Sequence, residues 1–130
     1  MNILTAKQAW ARLSQEPTPV LIDVRTPQEW QLIGLPDAEN LPCPMVCLTW
    51  QPDQEDAFVT GLTQAVPDLA QPVLFLCRSG MRSHHASMVA EHLGYKHVTN
   101  IADGFEDKHG PGTGWKASGL PSAHRPLSGS

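Results

Sequence analysis

Val73-Leu74-Phe75-Leu76-Cys77-Arg78-Ser79-Gly80-Met81-Arg82-Ser83 is the stretch that decides how this chain folds. Val73 to Leu76 is a short continuous apolar run, the pattern of a strand buried on both faces. After it the period changes. Ala86, Val89, Ala90 and Leu93 recur at i, i+3, i+4 and i+7, which is one face of a helix. Gly94 stands where such a helix ends in a left-handed cap. The reading is strand, tight loop, helix, and the loop holds a thiol, two guanidinium groups, two hydroxyls and a glycine.

A loop that enters a helix N-terminus turns unpaired backbone N–H groups inward and carries the positive end of the dipole. With Cys77 at its start, those donors surround the sulfur, and Arg78 and Arg82 add positive charge. Such surroundings favour the thiolate, the nucleophilic form of cysteine. They also suit an anionic substrate. The alternative is an inert cysteine ending a core strand. The Arg-Ser-Gly-x-Arg-Ser context weighs against it, because an inert cysteine gains nothing from that context.

CRSGMRS, from Cys77 to Ser83, resembles the active-site loop of the rhodaneses, the thiosulfate sulfurtransferases, in the form common among single-domain bacterial members. The flanking stretches LIDVRTPQEW, LPDAENLP and GWKASGLP, the first two before that loop and the third after it, occur in the family's order, so the resemblance runs from roughly Leu4 to Pro121. It implies one rhodanese domain over residues 1–121, followed by a flexible tail at 122–130. It also implies Cys77 as nucleophile, a substrate loop of Arg78, Ser79, Gly80, Met81, Arg82 and Ser83, and a supporting role for the Asp23-Val24-Arg25 motif. Ile33, Gly34 and Asp37 depart from the pattern, standing where rhodaneses usually show glycine, histidine and glycine. Any polar contact made by that histidine is lost.

Bulk properties narrow the class. A chain of 130 residues has room for one domain and one core. A hydrophobic content of 41% with 17% charged residues is ordinary for a soluble globular protein. The formal charge of -4 argues against general nucleic-acid binding, which needs a basic face. Three cysteines do not read as a disulfide framework and fit a reducing compartment. No basic-then-apolar leader opens the chain, and no apolar run nears the roughly 18 residues that cross a membrane. The expected location is the cytoplasm.

Along the chain, Thr5-Ala6-Lys7-Gln8 reads as a capping box, with Ala9, Leu13 and Trp10 facing inward. Glu16-Pro17-Thr18-Pro19 ends that helix. Val20 to Val24 reads as a strand whose Asp23 needs a partner. Arg25 is one candidate, so that the two hold a turn; the other reading has Asp23 orienting the cysteine loop. Thr26-Pro27-Gln28-Glu29 starts another helix, and Ala38 to Leu41 reads as a short strand. Cys43 and Cys47, four apart, share a helical face or lie in a loop. They are small core residues or, less simply, partners that resolve an oxidised Cys77. No metal set assembles from them or from the adjacent His84 and His85, and no cofactor is expected. Asp56 to Val66 reads as helix and His97 to Ile101 as strand, with a turn at Asp103-Gly104-Phe105. Glu106 to Gly114 is a glycine-rich loop that either shades the pocket together with Trp115 or lies free on the surface. Trp115 to Ser118 reads as a helical turn.

Alternating strands and helices predict an α/β fold, rhodanese-like, with a mainly parallel sheet of about five strands and helices on both faces. Active loops then belong at the carboxyl ends of the strands, where Cys77 and Asp23 fall. The expected chemistry is transfer of sulfane sulfur from thiosulfate or a similar small anion to cyanide, a thiol or a protein thiol, through a persulfide on Cys77. Backbone N–H groups stabilise the terminal sulfur in that scheme, and Arg82 forks onto the sulfonate. A cysteine phosphatase or arsenate reductase is the rival enzyme, but those place five residues between cysteine and arginine, and here four intervene. A non-catalytic rhodanese-like module that senses redox state or binds a partner is the third reading.

Overall fold

Val73–Leu76 is the middle strand of a five-stranded sheet and is buried at every position. A computed structural model of the chain describes residues 1–123. In chain order the elements are β1 (Asn2–Leu4), α1 (Ala6–Leu13), β2 (Val20–Asp23), α2 (Pro27–Leu32), β3 (Leu35–Pro36), β4 (Met45–Cys47), α3 (Glu55–Ala65), β5 (Val73–Leu76), α4 (Met81–Leu93), β6 (Val98–Ile101) and β7 (Ser122–Ala123). The large sheet runs β1-β6-β5-β2-β4, and each of its pairings is parallel. β3 and β7 form a small antiparallel pair. The expected α/β architecture is the one observed.

Side chains alternate across the sheet, as the two-residue period of a strand requires. Ile22, Val73, Phe75 and Cys77 join Phe58 and Leu62 of α3 and Ala86 and Ala90 of α4 in one core. Leu21, Leu74, Leu76 and Ile101 join Ala6, Ala9 and Leu13 of α1, with Phe105 and Trp115, in the other. Helices therefore cover both faces, and a continuous apolar strand is what two cores demand. Both capping boxes form: the Thr5 side chain accepts from the Gln8 N–H, the Thr26 side chain from the Glu29 N–H, and each partner side chain bonds back. α4 ends at Gly94 with φ 106°.

Four expectations change. Ala38–Asn40 is a short 3-10 turn, not a strand. The Asp37 carboxylate accepts from the Glu39 N–H at 3.2 Å and the Asn40 amide at 2.6 Å, a local alternative to sheet pairing. Met45–Cys47 is an edge strand paired with β2, so Cys43 and Cys47 share no helix. Trp115 is fully buried, donating its indole N–H to the Pro121 carbonyl at 2.8 Å, and does not shade a pocket. The expected tail starts late, since Ser122 and Ala123 pair with Pro36 and Leu35; its remaining residues, 124–130, lie outside the described ones.

Candidate active site

Parallel pairing brings the carboxyl ends of β4, β2 and β5 level, with Asp23 opposite Leu76 on one side and Cys47 on the other. Cys77 follows directly. Gly80 turns the chain into α4 with φ 96°, and a Cβ there would meet the Ala102 carbonyl oxygen at 2.1 Å. No other residue fits that turn. The turn aims the Gly80 N–H at the Cys77 sulfur, N to Sγ 3.1 Å. Ser83, on the first turn of α4, puts its Oγ 3.3 Å from the same sulfur. The N–H groups of Met81, Arg82 and Ser83 open the helix and have no intrahelical partner. Two polar groups thus face the sulfur, in a closed arrangement: Cys77 is 1% exposed.

The loop is stitched to the segment after β6. Phe105 donates its N–H to the Cys77 carbonyl at 2.8 Å, and Glu106 donates to the Arg78 carbonyl at 3.1 Å. The close approach needs Gly104, whose Cβ would meet the Arg78 carbonyl oxygen at 2.4 Å. The expected glycine-rich loop also folds onto the site. His109 brings a ring nitrogen to 2.6 Å from the Ser79 carbonyl.

The two loop arginines do not stand free. Arg82 places both ends of its fork on Glu29, at 2.7 and 2.8 Å. Burial pushes the Glu29 carboxyl up, but the Arg82 bond and charge, with the Thr26 contacts, outweigh it and hold it below the ordinary range. Arg82 is raised in turn, chiefly by its bond to Glu29, which outweighs the opposing effect of its burial. The expectation of an Arg82 fork open to a sulfonate gives way to this clasp. Arg78, half exposed, pairs with Glu106 at 3.1 Å. Glu29, Ile33, Arg78, Arg82 and Glu106 line a cleft of about 430 Å³. A neighbouring cleft of about 360 Å³ shares Ile33 and Glu106 and adds Asp107, Lys116 and Ala117. Met81 turns its side chain outward, 69% exposed, so only its backbone faces the cradle.

Asp23 and Arg25 are both fully buried and pair through two oxygens, at 3.0 and 2.7 Å, with the Arg25 N–H as a third bond to Asp23. The guanidinium also donates to the Gly34 carbonyl at 2.8 Å and lies 4.3 Å from the centroid of Phe105. The pair holds its own turn and reaches the cysteine loop through Phe105. Gly34, where rhodaneses show histidine, contributes only its backbone.

Cys43 packs in the opposite core from Cys77. Cys47 is separated from β5 by the whole of β2, roughly 9–10 Å at two strand spacings. That exceeds the Cα span of a disulfide, so this conformation brings neither to Cys77. None of the three cysteines is in a disulfide among the described residues. Among the described residues, no group of three or more His, Cys, Asp or Glu is placed to hold a metal ion, and no helix is long and apolar enough to cross a membrane.

Four site residues escape the sequence reading: Glu29, Glu106, His109 and Asn100. Asn100 links β6 to the cradle, accepting from the Ser83 hydroxyl at 2.5 Å and donating to the Gly80 carbonyl at 3.2 Å. Its signal was a carboxamide inside a strand buried at every position, where a polar group needs partners.

Comparison with known proteins finds relatives in sequence and in fold. Residues 1–127 match the family model of the STR4 middle domain. An uncharacterized protein of Rickettsia rickettsii is 38% identical over 122 residues, 92% of this chain and 94% of its own. A thiosulfate:glutathione sulfurtransferase of Saccharomyces cerevisiae is 30% identical over 99 residues, 71% of this chain and 66% of its own. Among solved structures, the crystal structure of Rv0390 from M. tuberculosis matches with a TM-score of 0.81 at 40% identity, covering 95% of this chain and 97% of that one. The solution structure of a polysulfide-sulfur transferase homodimer from Wolinella succinogenes matches with a TM-score of 0.73 at 26% identity, covering 98% and 81%.

Proposed function

The chain belongs to the STR4 middle domain family, within the rhodanese-like superfamily, and from that premise we propose that it is a sulfurtransferase working through a persulfide on Cys77. The observation that carries the reading is the Gly80 N–H directed at the Cys77 sulfur, at the N-terminus of α4 and within the field of Arg82. A backbone donor, a helix end and a guanidinium together stabilise negative charge on sulfur.

The reaction has two halves. The Cys77 thiolate attacks the outer sulfur of thiosulfate or a similar donor. The donor's S–S bond breaks, sulfite departs with the electron pair, and Cys77 holds the persulfide. A thiolate or cyanide then attacks the outer sulfur, and the electron pair returns to Cys77 as the thiolate. Two displacements replace one difficult transfer. In the closed conformation the donor reaches sulfur only after the Arg82–Glu29 clasp or the loop yields. Release of that clasp would free the Arg82 fork for the donor's oxygens.

The adjoining clefts are larger than a thiosulfate ion needs and suit a thiol with charged ends, of the size of a short peptide. The acceptor we infer is therefore a small peptidic thiol, in line with the name of the yeast relative, with a protein thiol as the larger version of the same chemistry. Cysteines outside any disulfide suit a reducing compartment such as the cytoplasm.

Intact-mass measurement after incubation with thiosulfate tests the proposal. The expected result is a gain of one sulfur, about 32 Da, on Cys77, with thiosulfate:cyanide turnover abolished in Cys77→Ser. Turnover in that variant near the wild-type rate would end the proposal.

A further inference from the structure

Asn100, Ser83 and Cys77 form a chain of contacts that fixes where one proton sits. Asn100 is 4% exposed, and Ser83 and Cys77 are no more open. The orientation of the Asn100 amide follows from its neighbours. Its Nδ2 meets the Gly80 carbonyl at 3.2 Å, an atom that can only accept. The Oδ1 therefore faces Ser83, and that oxygen also can only accept. Ser83 Oγ lies 2.5 Å from it, so the single hydroxyl proton of Ser83 points at Asn100. What Ser83 turns toward the Cys77 sulfur, 3.3 Å away, is a lone pair. A lone pair accepts from an S–H and repels a thiolate.

We propose that Asn100 is a positioning residue that turns the Ser83 hydroxyl away from Cys77, so that the resting cysteine is held as a thiol and ionises only when that hydroxyl swings round. The inference rests on Cys77 being the nucleophile and adds how its reactive form is produced. Ionisation sends the Cys77 proton to water. The Ser83 O–H then rotates from Asn100 Oδ1 onto the sulfur, and the Asn100 oxygen is left without its donor, a costly state for a buried polar group. In the loaded enzyme the inner sulfur carries neither proton nor charge, and the hydroxyl returns to Asn100. The device thus disfavours the free thiolate relative to both the thiol before it and the persulfide after it.

The charged and titratable groups around the sulfur come from several elements. Arg82 on α4 is paired with Glu29 on α2, Asp23 with Arg25 at the end of β2, Arg78 with Glu106, and His109 sits on the Ser79 carbonyl. The variants below leave all of them in place.

The test is the pH dependence of Cys77 alkylation by iodoacetamide, followed by peptide mass in the full chain. Asn100→Ala frees Ser83 to donate to the thiolate. Asn100→Leu does the same with nearly the same volume, should the alanine variant not fold. Gly80 keeps a partner in both, because its carbonyl also accepts from the His84 N–H at 3.1 Å. The expected result is a midpoint about one pH unit lower than in the wild type, and no such fall when Ser83→Ala is added. A midpoint that stays put, or that falls equally without the Ser83 hydroxyl, overturns the inference. Alkylation reports the thiol whether or not sulfur moves. A Cys77 that alkylates as expected yet takes no sulfur from thiosulfate would sink the transfer reading alone.

Discussion

Glu29 closes the Thr26 cap and clasps Arg82 with one carboxylate. Only the first role is visible locally, three residues away in the chain; the second spans 53 positions. This is why the sequence yields Cys77, Gly80 and the two arginines as site residues but not their counter-charges. Local spacing explains a cap completely and leaves no residue of surprise to point elsewhere. Asn100 differs, because a carboxamide in a strand buried at every position has no local explanation. Glu29→Gln should loosen the clasp. Both side chains are less than a third exposed, so the expected loss is about 1 kcal/mol of stability at pH 7, read by urea unfolding. The Glu29 carboxyl is held below its ordinary 4.5 in the folded chain. Its contribution is therefore full above that value and fades as pH falls through the lower folded value. Wild-type and variant unfolding curves should converge in acid. The freed Arg82 should also lower the KM for thiosulfate several-fold with little change in kcat.

Elements defined by a repeating period were legible, and those defined by single contacts were not. The strand at 73–76, the helix after Gly80 and both capping boxes each repeat or interlock a local pattern. Met45–Cys47 has only three residues, all partly buried, and owes its pairing to β2 rather than to its own sequence. Ala38–Asn40 turns where a strand is expected, because the Asp37 side chain supplies local hydrogen bonds in place of sheet pairing. The loop at 106–114 is composed like a free connection but is held by contacts from Glu106 and His109. A cap is the simplest element to test. Thr5→Ala removes one member of the box beside the edge strand β1, two strands across the sheet from Cys77. Thermal unfolding should show a loss of about 1 kcal/mol, with sulfur transfer to cyanide unchanged.

For the whole molecule, the decisive fact is that one sheet serves two cores. Neither layer can lose its packing without uncovering strands that the other also needs. Leu13→Ala on one side and Phe58→Ala on the other should each cost about 3 kcal/mol or more, and both should shift one shared transition. Coincident tryptophan fluorescence and far-UV circular dichroism would establish this, and separated transitions would refute it. The same sheet presses the cysteine loop main chain to main chain against the segment after β6, the Ala102 carbonyl against Gly80 and the Arg78 carbonyl against Gly104. Evolution has correspondingly little freedom there. The cleft around the sulfur can be rewritten to suit other clients, whereas positions 80 and 104 admit nothing larger than hydrogen, because any side chain there would collide with the facing carbonyl.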